Sequence, residues 1–490
     1  MKFSFSEKDF IEKEVNPQKL ALIGEDRELT WVDFERSVNS ICDYFKERQW
    51  DHLQHPVIIY GHKSANMLVC FYALMKLEIP YIPIDLVYPK ERIDKVIRTS
   101  NAEVFINTTD TPFGFMNGNE LMISAEGKLS LVGDLKPIHS APKSADPLVY
   151  LIFTSGSTGE PKGVQISTEA VQSFVRWMCN DFGFHANEVF VNTAILSFDL
   201  SVFEVMTFSA LGGTLLLNSS DTGANPNLLL PRIQKYSGTT WVSTPSFSLM
   251  YSRLGEDERL QSIRNFLFCG EVLPNPLAKS LLNNFPKAKV INTYGPTEAT
   301  VATTLVFITP EIVEQHNPLP VGKSKPESDL LIEEGEIVIV GPNVSVGYVN
   351  NPELNEQKFV NRNGQRAFKT GDVGYLKEGM LFFNGRNDDL VKLHGYRIEL
   401  NEITSALNDL AYVAHGEAVA LRRNGEVKKI VGLVQLAASK EISKESIQQD
   451  LEKTLPHYMI PSDIKQVEKI PLNQNGKADK KLLQEIYLSA

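Results

Sequence analysis

The stretch LVYLIFTSGSTGEPKG, residues 148–163, decides how this chain is interpreted. Its apolar first half predicts a buried strand, and Thr168 predicts the start of a helix. Between them, glycines free the backbone to bend. The hydroxyl groups, the backbone N–H groups and the Lys162 ammonium suit an anionic polyphosphate. Pro161 and Gly163 stand where a Walker A loop needs glycine and Ser or Thr, so this is a different loop. A flexible surface linker is the alternative for a stretch rich in Gly, Ser and Thr.

Size and composition limit the class of protein. A chain of 490 residues exceeds one ordinary core, so two or more domains are expected. The net charge of −11 disfavours nucleic-acid binding but leaves room for a local basic patch facing an acidic carrier protein. Four widely spaced cysteines without a CxxC pair indicate a reducing compartment and no zinc site. Without a signal peptide or an apolar run of about 20 residues, we expect a cytoplasmic protein that does not insert into membranes.

The order of predicted elements gives an α/β fold class. Strand and helix signals alternate to about residue 310, which predicts two parallel αβ sheets covered by helices. Short strands with glycine turns follow over residues 310–385 and predict a β-rich subdomain. The pattern changes again after Gly385. We therefore expect a large N-terminal domain, residues 1–385, and a small α+β C-terminal domain, residues 386–490.

A second polar segment, Asn292-Thr293-Tyr294-Gly295-Pro296-Thr297-Glu298, follows a predicted strand at residues 289–291. Open parallel sheets gather their functional loops at the carboxyl ends of strands, and this segment has that position. Tyr294 suits stacking on adenine, Thr297 a hydrogen bond to phosphate, and Glu298 the binding of a magnesium ion on a triphosphate. A plain Gly-Pro turn would not require Tyr and Glu at these offsets.

Three shorter segments complete the pattern: Thr370-Gly371-Asp372, the run GRNDDLVKLHGYRIEL at residues 385–400, and Asn475-Gly476-Lys477. Each alone is a weak signal, because turns and solvated linkers have the same composition. The Asp372 carboxylate suits ribose hydroxyls, and Arg386 suits ribose or phosphate. The information lies in the occurrence of several such segments in one chain, in a fixed order.

Together these segments resemble the adenylate-forming (ANL) superfamily, which comprises acyl-CoA synthetases, luciferases and amino-acid adenylation domains. The resemblance implies ATP and Mg²⁺ as cofactors and a C-terminal domain that rotates on a hinge at Asp388. It implies catalytic roles for Lys477, Thr154 and Glu298, with Glu298 also the magnesium ligand. The ATP-binding residues that it implies are Thr154, Ser155, Gly156, Ser157, Thr158, Lys162, Asn292, Tyr294, Gly295, Pro296, Thr297, Asp372, Arg386 and Lys477. Asp389 departs from the bulky apolar residue that often follows the hinge.

The segment Ser197-Phe198-Asp199-Leu200-Ser201 bears on the acid that is activated. A buried aspartate would pair with the α-ammonium group of an amino acid, which a fatty acid lacks. A surface or capping aspartate is the alternative. Phe198, Asp199, Cys269 and Val301, as substrate-contacting residues, resemble those of the D-alanine–D-alanyl carrier protein ligase family. In that family the cysteine packs beside the substrate α-carbon; a buried core cysteine is the alternative.

The resemblance implies ATP-dependent adenylation of D-alanine and its transfer to the phosphopantetheine thiol of a D-alanyl carrier protein, for teichoic acid D-alanylation. Two other hypotheses stay open. One is a stand-alone adenylation enzyme for another small amino acid in nonribosomal peptide synthesis. The other is a catalytically silent scaffold that binds a carrier protein.

Overall fold

The computed structural model describes residues 15–51, 53, 55–139, 147–156, 160–252, 257–386, 389–423, 426–437, 442–471 and 478–489. Four of the predicted site residues lie outside these described ranges: Ser157, Thr158, Asp388 and Lys477. Their predicted roles stay predictions.

The strands, in chain order, are β1 Leu20–Ile23, β2 Glu28–Thr30, β3 Val57–Tyr60, β4 Tyr81–Ile84, β5 Val104–Asn107, β6 Asn119–Ile123, β7 Leu129–Val132, β8 Leu148–Thr154, β9 Lys162–Ser167, β10 Val189–Asn192, β11 Thr214–Leu216, β12 Thr240–Ser243, β13 Asn265–Phe268, β14 Lys289–Tyr294, β15 Thr304–Ile308, β16 Lys323–Ser324, β17 Asp329–Glu333, β18 Glu336–Val340, β19 Gly347–Tyr348, β20 Phe359–Arg362, β21 Gln365–Lys377, β22 Met380–Arg386, β23 Leu390–Leu393, β24 Tyr396–Glu399, β25 Val413–Arg423, β26 Glu426–Leu436 and β27 Asp463–Gln466.

The α-helices are α1 Trp31–Glu47, α2 Ala65–Lys76, α3 Lys90–Ser100, α4 Thr168–Asp181, α5 Val202–Leu211, α6 Ser220–Ala224, α7 Pro226–Tyr236, α8 Pro245–Ser252, α9 Asn275–Asn284, α10 Pro310–Gln315, α11 Pro352–Lys358, α12 Leu400–Asn408, α13 Lys444–Leu451 and α14 Lys480–Leu488. Hydroxyl side chains start several of them: Thr30, Ser64 and Ser167 each accept a hydrogen bond from a backbone N–H in the first turn. Such caps satisfy a donor that the helix leaves unpaired and contribute about 1 kcal/mol each.

Among the described residues the strands form five sheets, and two of them are large. One has nine strands in the order β16-β15-β14-β13-β12-β10-β11-β1-β2, and the other has eight in the order β19-β9-β8-β4-β3-β5-β6-β7. The pairs β10–β12, β12–β13 and β13–β14 are parallel, as are β3–β4 and β3–β5. A five-stranded antiparallel sheet comprises β17, β18, β20, β21 and β22. The predicted α/β class with two αβ sheets and a β-rich part is confirmed.

The chain divides into two compact units. The larger unit comprises Met1–Asp85, Ser100–Ile152 and Gly163–Gly385, and the smaller unit comprises Leu86–Thr99, Phe153–Lys162 and Arg386–Ala490. The smaller unit holds β23–β24 and the three-stranded sheet β25-β26-β27. The predicted domain boundary after Gly385 stays a prediction; the compact units change at that point, but the smaller one also includes α3 and most of the glycine-rich loop.

One sequence expectation about the glycine-rich loop is wrong. The predicted loop extended to Gly163, whereas Lys162 already begins strand β9, which continues to Ser167. Val164 and Ile166 are buried and Gln165 between them is half-buried. This alternation fits a strand, because successive side chains of a strand point to opposite faces of the sheet. The Lys162 backbone therefore belongs to a strand rather than to a loop. No helix in the described residues is long and apolar enough to span a bilayer.

The core of the larger unit encloses a small group of charged side chains. Lys63 is 5% exposed and donates a hydrogen bond to the Thr193 carbonyl at 2.8 Å, and Glu204 is fully buried and accepts one from Asn192 at 2.8 Å. Burial raises the pKa of Glu204 from 4.5 to about 8, against the Asn192 hydrogen bond. Burial lowers the pKa of Lys63 to about 8, although Asp85 and Glu204 oppose that shift. Both side chains thus titrate within two units of neutral pH.

Glu204→Gln is expected to change how thermal stability depends on pH. Between pH 4.5 and about 8 an unfolded Glu204 ionises while the folded one stays protonated, so the unfolding free energy of the wild type falls as pH rises. Glutamine does not titrate, so the variant should lose less stability over the same interval. The measurement is the melting temperature of both proteins from pH 5 to pH 8. Glu353→Gln, at an exposed helix position, is the control; a parallel shift of all three curves would contradict the prediction.

Candidate active site

The larger unit brings several predicted residues to one edge of the nine-stranded sheet. Strands β10, β12, β13 and β14 run parallel, so their carboxyl ends lie at the same edge. Asp199 and Cys269 follow two of these strands along the chain, and Tyr294 ends a third. The fold therefore places the predicted substrate and nucleotide segments where open α/β sheets form their sites.

The Asp199 carboxylate is 9% exposed and accepts a hydrogen bond from the Thr297 hydroxyl at 2.6 Å. Asp199 begins a short 3-10 turn, Asp199–Ser201, and Phe198 before it is half-buried. Burial first, then Tyr81 and the Asp199 charge, raise the pKa of Tyr150 well above its ordinary value. Asp199 is therefore buried, and neither a surface role nor a helix-capping role explains it. Thr297, predicted as a phosphate contact, donates to this carboxylate, and its phosphate role stays a prediction.

Cys269 and Val301, both predicted substrate contacts, touch each other. The Cys269 thiol donates a hydrogen bond to the Val301 carbonyl at 3.7 Å, and each residue is 2% exposed. Thr297 and Val301 belong to the same short segment between β14 and β15. The acid at Asp199 and the thiol at Cys269 are consequently tied to one loop.

The predicted nucleoside residues also converge. The Tyr294 hydroxyl donates a hydrogen bond to the Asp372 carboxylate at 2.6 Å, and both residues are buried. Asn292 donates to the Pro320 carbonyl at 2.9 Å, while its amide oxygen is buried and accepts no hydrogen bond from any described residue. Gly295 is required sterically, because a Cβ there would lie 2.5 Å from the Ala302 Cα.

Glu298, the predicted magnesium ligand, is fully buried and accepts a hydrogen bond from the Tyr348 hydroxyl at 2.7 Å. The Ser345 N–H donates to the Glu298 carbonyl at 2.8 Å. In the described part of the chain, no three His, Cys, Asp or Glu side chains are grouped to hold a metal. Magnesium bound through a nucleotide needs only one or two protein carboxylates, which Glu298 fits. No sequence motif indicated a role for Tyr348.

The smaller unit contains most of the predicted phosphate loop, and donors of this loop bind carboxylates of the same unit. Lys162 Nζ lies 3.1 Å from a Glu399 carboxylate oxygen, and the Gly156 N–H donates to the Glu402 carboxylate at 3.2 Å. The Ser155 hydroxyl donates to the Arg397 carbonyl at 2.9 Å and accepts from the Glu399 N–H at 3.1 Å. A carboxylate, like a phosphate, presents anionic oxygens to hydrogen-bond donors. The donors that bind Glu399 and Glu402 are therefore chemically suited to the phosphates of ATP.

Two further features of this loop suit an anion. The Thr154 hydroxyl oxygen is buried and has no hydrogen-bond partner among the described residues. A Cβ at Gly156 would lie 1.9 Å from the Glu160 carbonyl, so only glycine fits there. Glu402 is held in turn by the buried Arg92 guanidinium. Glu399 lies in the run at residues 385–400 but had no predicted role, and no role was predicted for Glu402 or Arg92. The signal that could have found the two acids is their position on either side of a strand–helix junction.

The hinge segment can be described only in part. Arg386 is half-buried at the end of β22. Asp389, the predicted departure from the family pattern, pairs with Lys480 at 2.7 Å. The replacement of an apolar residue by Asp389 is therefore accompanied by a cation in the same unit.

Comparison with known proteins agrees with this arrangement. A family model described as AMP-binding enzyme matches residues 11–349, which is more than half of the chain. D-alanine–D-alanyl carrier protein ligases of Bacillus cereus (strain Q1) and Bacillus anthracis are each 38% identical to it, with 96% of this chain and 97% of the relative covered.

Solved structures give the same result for the fold. The Vibrio cholerae adenylation domain AlmE, in complex with glycyl-adenosine-5'-phosphate, superposes with a TM-score of 0.82 at 20% identity and covers 100% of both chains. PA1221, a nonribosomal peptide synthetase protein with adenylation and PCP domains, has a TM-score of 0.78 at 25% identity and covers 95% of this chain and 81% of its own. The chain belongs to the AMP-binding enzyme family of adenylate-forming enzymes.

Proposed function

We propose that this enzyme adenylates D-alanine with ATP and transfers the D-alanyl group to the phosphopantetheine thiol of a D-alanyl carrier protein, in the cytoplasm, for teichoic acid D-alanylation. The observation that carries the proposal is the buried Asp199 carboxylate, tied through Thr297 to the loop whose Val301 contacts Cys269. A buried carboxylate suits an α-ammonium group, and a closely packed thiol leaves room for a small side chain. The near full-length similarity to D-alanine–D-alanyl carrier protein ligases supports the same substrate.

The first step joins two anions. A carboxylate oxygen of D-alanine attacks the α-phosphorus of ATP, an O–P bond forms, and the bond to pyrophosphate breaks. Such a reaction depends on positioning and on charge neutralisation rather than on a nucleophilic side chain. We assign phosphate binding to Thr154, Ser155, Gly156 and Lys162, with Lys477 holding the reacting carboxylate against the phosphate. Magnesium, for which Glu298 is the fitting ligand, would neutralise triphosphate charge.

The second step moves the acyl group. The phosphopantetheine thiolate attacks the adenylate carbonyl carbon, a C–S bond forms, and AMP leaves with the C–O bond electrons. We propose that the C-terminal domain, residues 386–490, rotates about Asp388 between the two steps, so that Lys477 serves only the first. PA1221, a nonribosomal peptide synthetase protein that contains adenylation and PCP domains, supports a carrier protein as acceptor.

A panel of acids tests the substrate. We expect ATP–pyrophosphate exchange to be fastest with D-alanine and slower with L-alanine, glycine, D-serine and short fatty acids. Discrimination by one methyl group is worth about 1–3 kcal/mol, so L-alanine should react measurably but at least about tenfold more slowly. Faster exchange with another amino acid would favour the nonribosomal alternative. The absence of exchange with every acid, in protein that still binds carrier protein, would favour the silent scaffold.

A further inference from the structure

The loop that meets Cys269 has an unusual backbone. Thr300 and Val301 both have positive φ values, 53° and 67°, although both are β-branched residues. Such residues rarely adopt this left-handed conformation, because the branched Cβ crowds the backbone. The Ala302 N–H donates to the Thr300 carbonyl at 2.8 Å, which closes a rare three-residue γ-turn around Val301. A backbone of this kind persists only where its surroundings hold it.

One buried residue holds this turn. Asn343 is fully buried, and its side-chain amide donates hydrogen bonds to the Ala299 carbonyl at 3.0 Å and to the Thr303 hydroxyl at 2.9 Å. The Thr300 hydroxyl donates to the backbone carbonyl of Asn343 at 2.7 Å. The Asn343 side chain therefore holds the residues on both sides of the γ-turn, and its backbone holds the first strained residue. Ser328 holds Asn343 in turn, donating to its amide oxygen at 2.7 Å.

The γ-turn decides where the Val301 carbonyl points. That carbonyl accepts the hydrogen bond from the Cys269 thiol. If Val301 returned to negative φ, its peptide plane would rotate and the thiol would lose this acceptor. The Cys269 sulfur would then lose a hydrogen bond that favours its present rotamer. The chain of contacts runs from Asn343, through the strained turn, to the sulfur atom.

We propose that Asn343 is a positioning residue for substrate specificity: by holding the Thr300–Val301 turn, it fixes the Cys269 sulfur that limits the substrate side chain and its configuration. Asn343 itself touches no reacting atom. The inference rests on the proposed function only in assigning Cys269 to the amino-acid pocket. Asn343→Ala should therefore broaden amino-acid selection without weakening ATP binding.

The test measures kcat/KM of ATP–pyrophosphate exchange for D-alanine and L-alanine in the wild type, Asn343→Ala, Cys269→Ala and the double variant. We expect Asn343→Ala to lower the D:L ratio about threefold to tenfold, because one methyl group in a pocket carries about 10- to 200-fold discrimination. KM for ATP should stay within about twofold of the wild type. The double variant should have the ratio of Cys269→Ala alone, since both changes act on one sulfur atom.

A second pair of variants keeps the test decisive if Asn343→Ala folds poorly. Thr300→Val keeps the branched shape but removes the hydroxyl that donates to the backbone carbonyl of Asn343, a contact that Asn343→Ala leaves in place. Because it loosens the same turn at a second point, it should also lower the ratio. Thr300→Ser keeps the hydroxyl and should retain the ratio. Ser328→Ala removes the hydrogen bond that holds the Asn343 amide oxygen but leaves both Asn343 donors, so its ratio should fall less than that of Asn343→Ala.

Three results would overturn the inference: a wild-type ratio in folded Asn343→Ala, a ratio in the double variant that is the product of the two single effects, or equal ratios in Thr300→Val and Thr300→Ser. Each variant is also scored against the whole amino-acid panel relative to the wild type. If the wild type prefers an amino acid other than D-alanine, the proposed substrate is wrong. The panel of Asn343→Ala still shows whether Asn343 controls selection, so the two failures are distinguishable.

Discussion

Asp199→Asn should lower kcat/KM for D-alanine in ATP–pyrophosphate exchange by about 150- to 4,000-fold, since leaving one partner of a buried ion pair uncompensated costs about 3–5 kcal/mol. Asparagine has nearly the same shape as aspartate, and Asp199 is 9% exposed, so little water is present to replace the lost charge. The Thr297 hydroxyl can still donate to the asparagine oxygen, so the local hydrogen bond survives the substitution.

The pattern of constants distinguishes recognition from general damage. KM for ATP should be unchanged. Activity with propionate, which lacks the ammonium group, should fall much less than activity with D-alanine. Thr297→Ser keeps the hydroxyl beside Asp199 and is the matched control for a small change in this loop. An equal loss of activity with D-alanine and propionate would show that Asp199 is structural and not the ammonium partner.

Lys477→Ala should separate the two half-reactions. We expect adenylation to fall by about 10²- to 10³-fold, the usual cost of removing one charge-stabilising group from the transition state of a group transfer. Transfer from preformed D-alanyl adenylate to the phosphopantetheine thiol should change much less, because the lysine is proposed to leave the site before that step. The two rates are measured separately, by pyrophosphate exchange and by single-turnover thioester formation.

A second lysine provides the control for this prediction. Lys480 pairs with Asp389 and Glu417 within the smaller unit and has no proposed part in the chemistry. Lys480→Ala should therefore leave adenylation far more active than Lys477→Ala does. If Lys477→Ala slows both half-reactions equally, the proposed alternation of the C-terminal domain is wrong.

The sequence predicted those site residues that belong to short motifs, in which the residue types themselves indicate the chemistry. Tyr294 and Asp372 were each assigned to the nucleoside from short motifs, and the fold joins them in one hydrogen bond. Cys269 and Val301 likewise meet. Parallel strands explain why the segments after β13 and β14 lie at one edge of the nine-stranded sheet, whereas Asp372 comes from β21 of the antiparallel sheet. The roles assigned to these residues stay predictions.

The contacts that the sequence did not predict join segments that lie far apart along the chain. Glu402 meets Gly156 across 246 positions, and Tyr348 meets Glu298 across 50. Neither acid nor tyrosine stands in a pattern that signals its partner. Asn343 resembles any polar residue in a turn after β18, and only its burial and three hydrogen bonds to the γ-turn reveal its role. Hydrogen bonding at this range is a property of packing, which periodicity does not encode.

The Glu399 and Glu402 carboxylates bind donors of the predicted phosphate loop, where a phosphate group would otherwise be placed by our proposal. An entering anion has to compete with two acids that are covalently tethered nearby, and so present at high effective concentration. A single orthophosphate or sulfate ion has too few contacts to win that competition, whereas a polyphosphate replaces all of them at once. The loop can thus offer an ammonium group and several N–H and O–H donors and still discriminate against the abundant small anions of a cell.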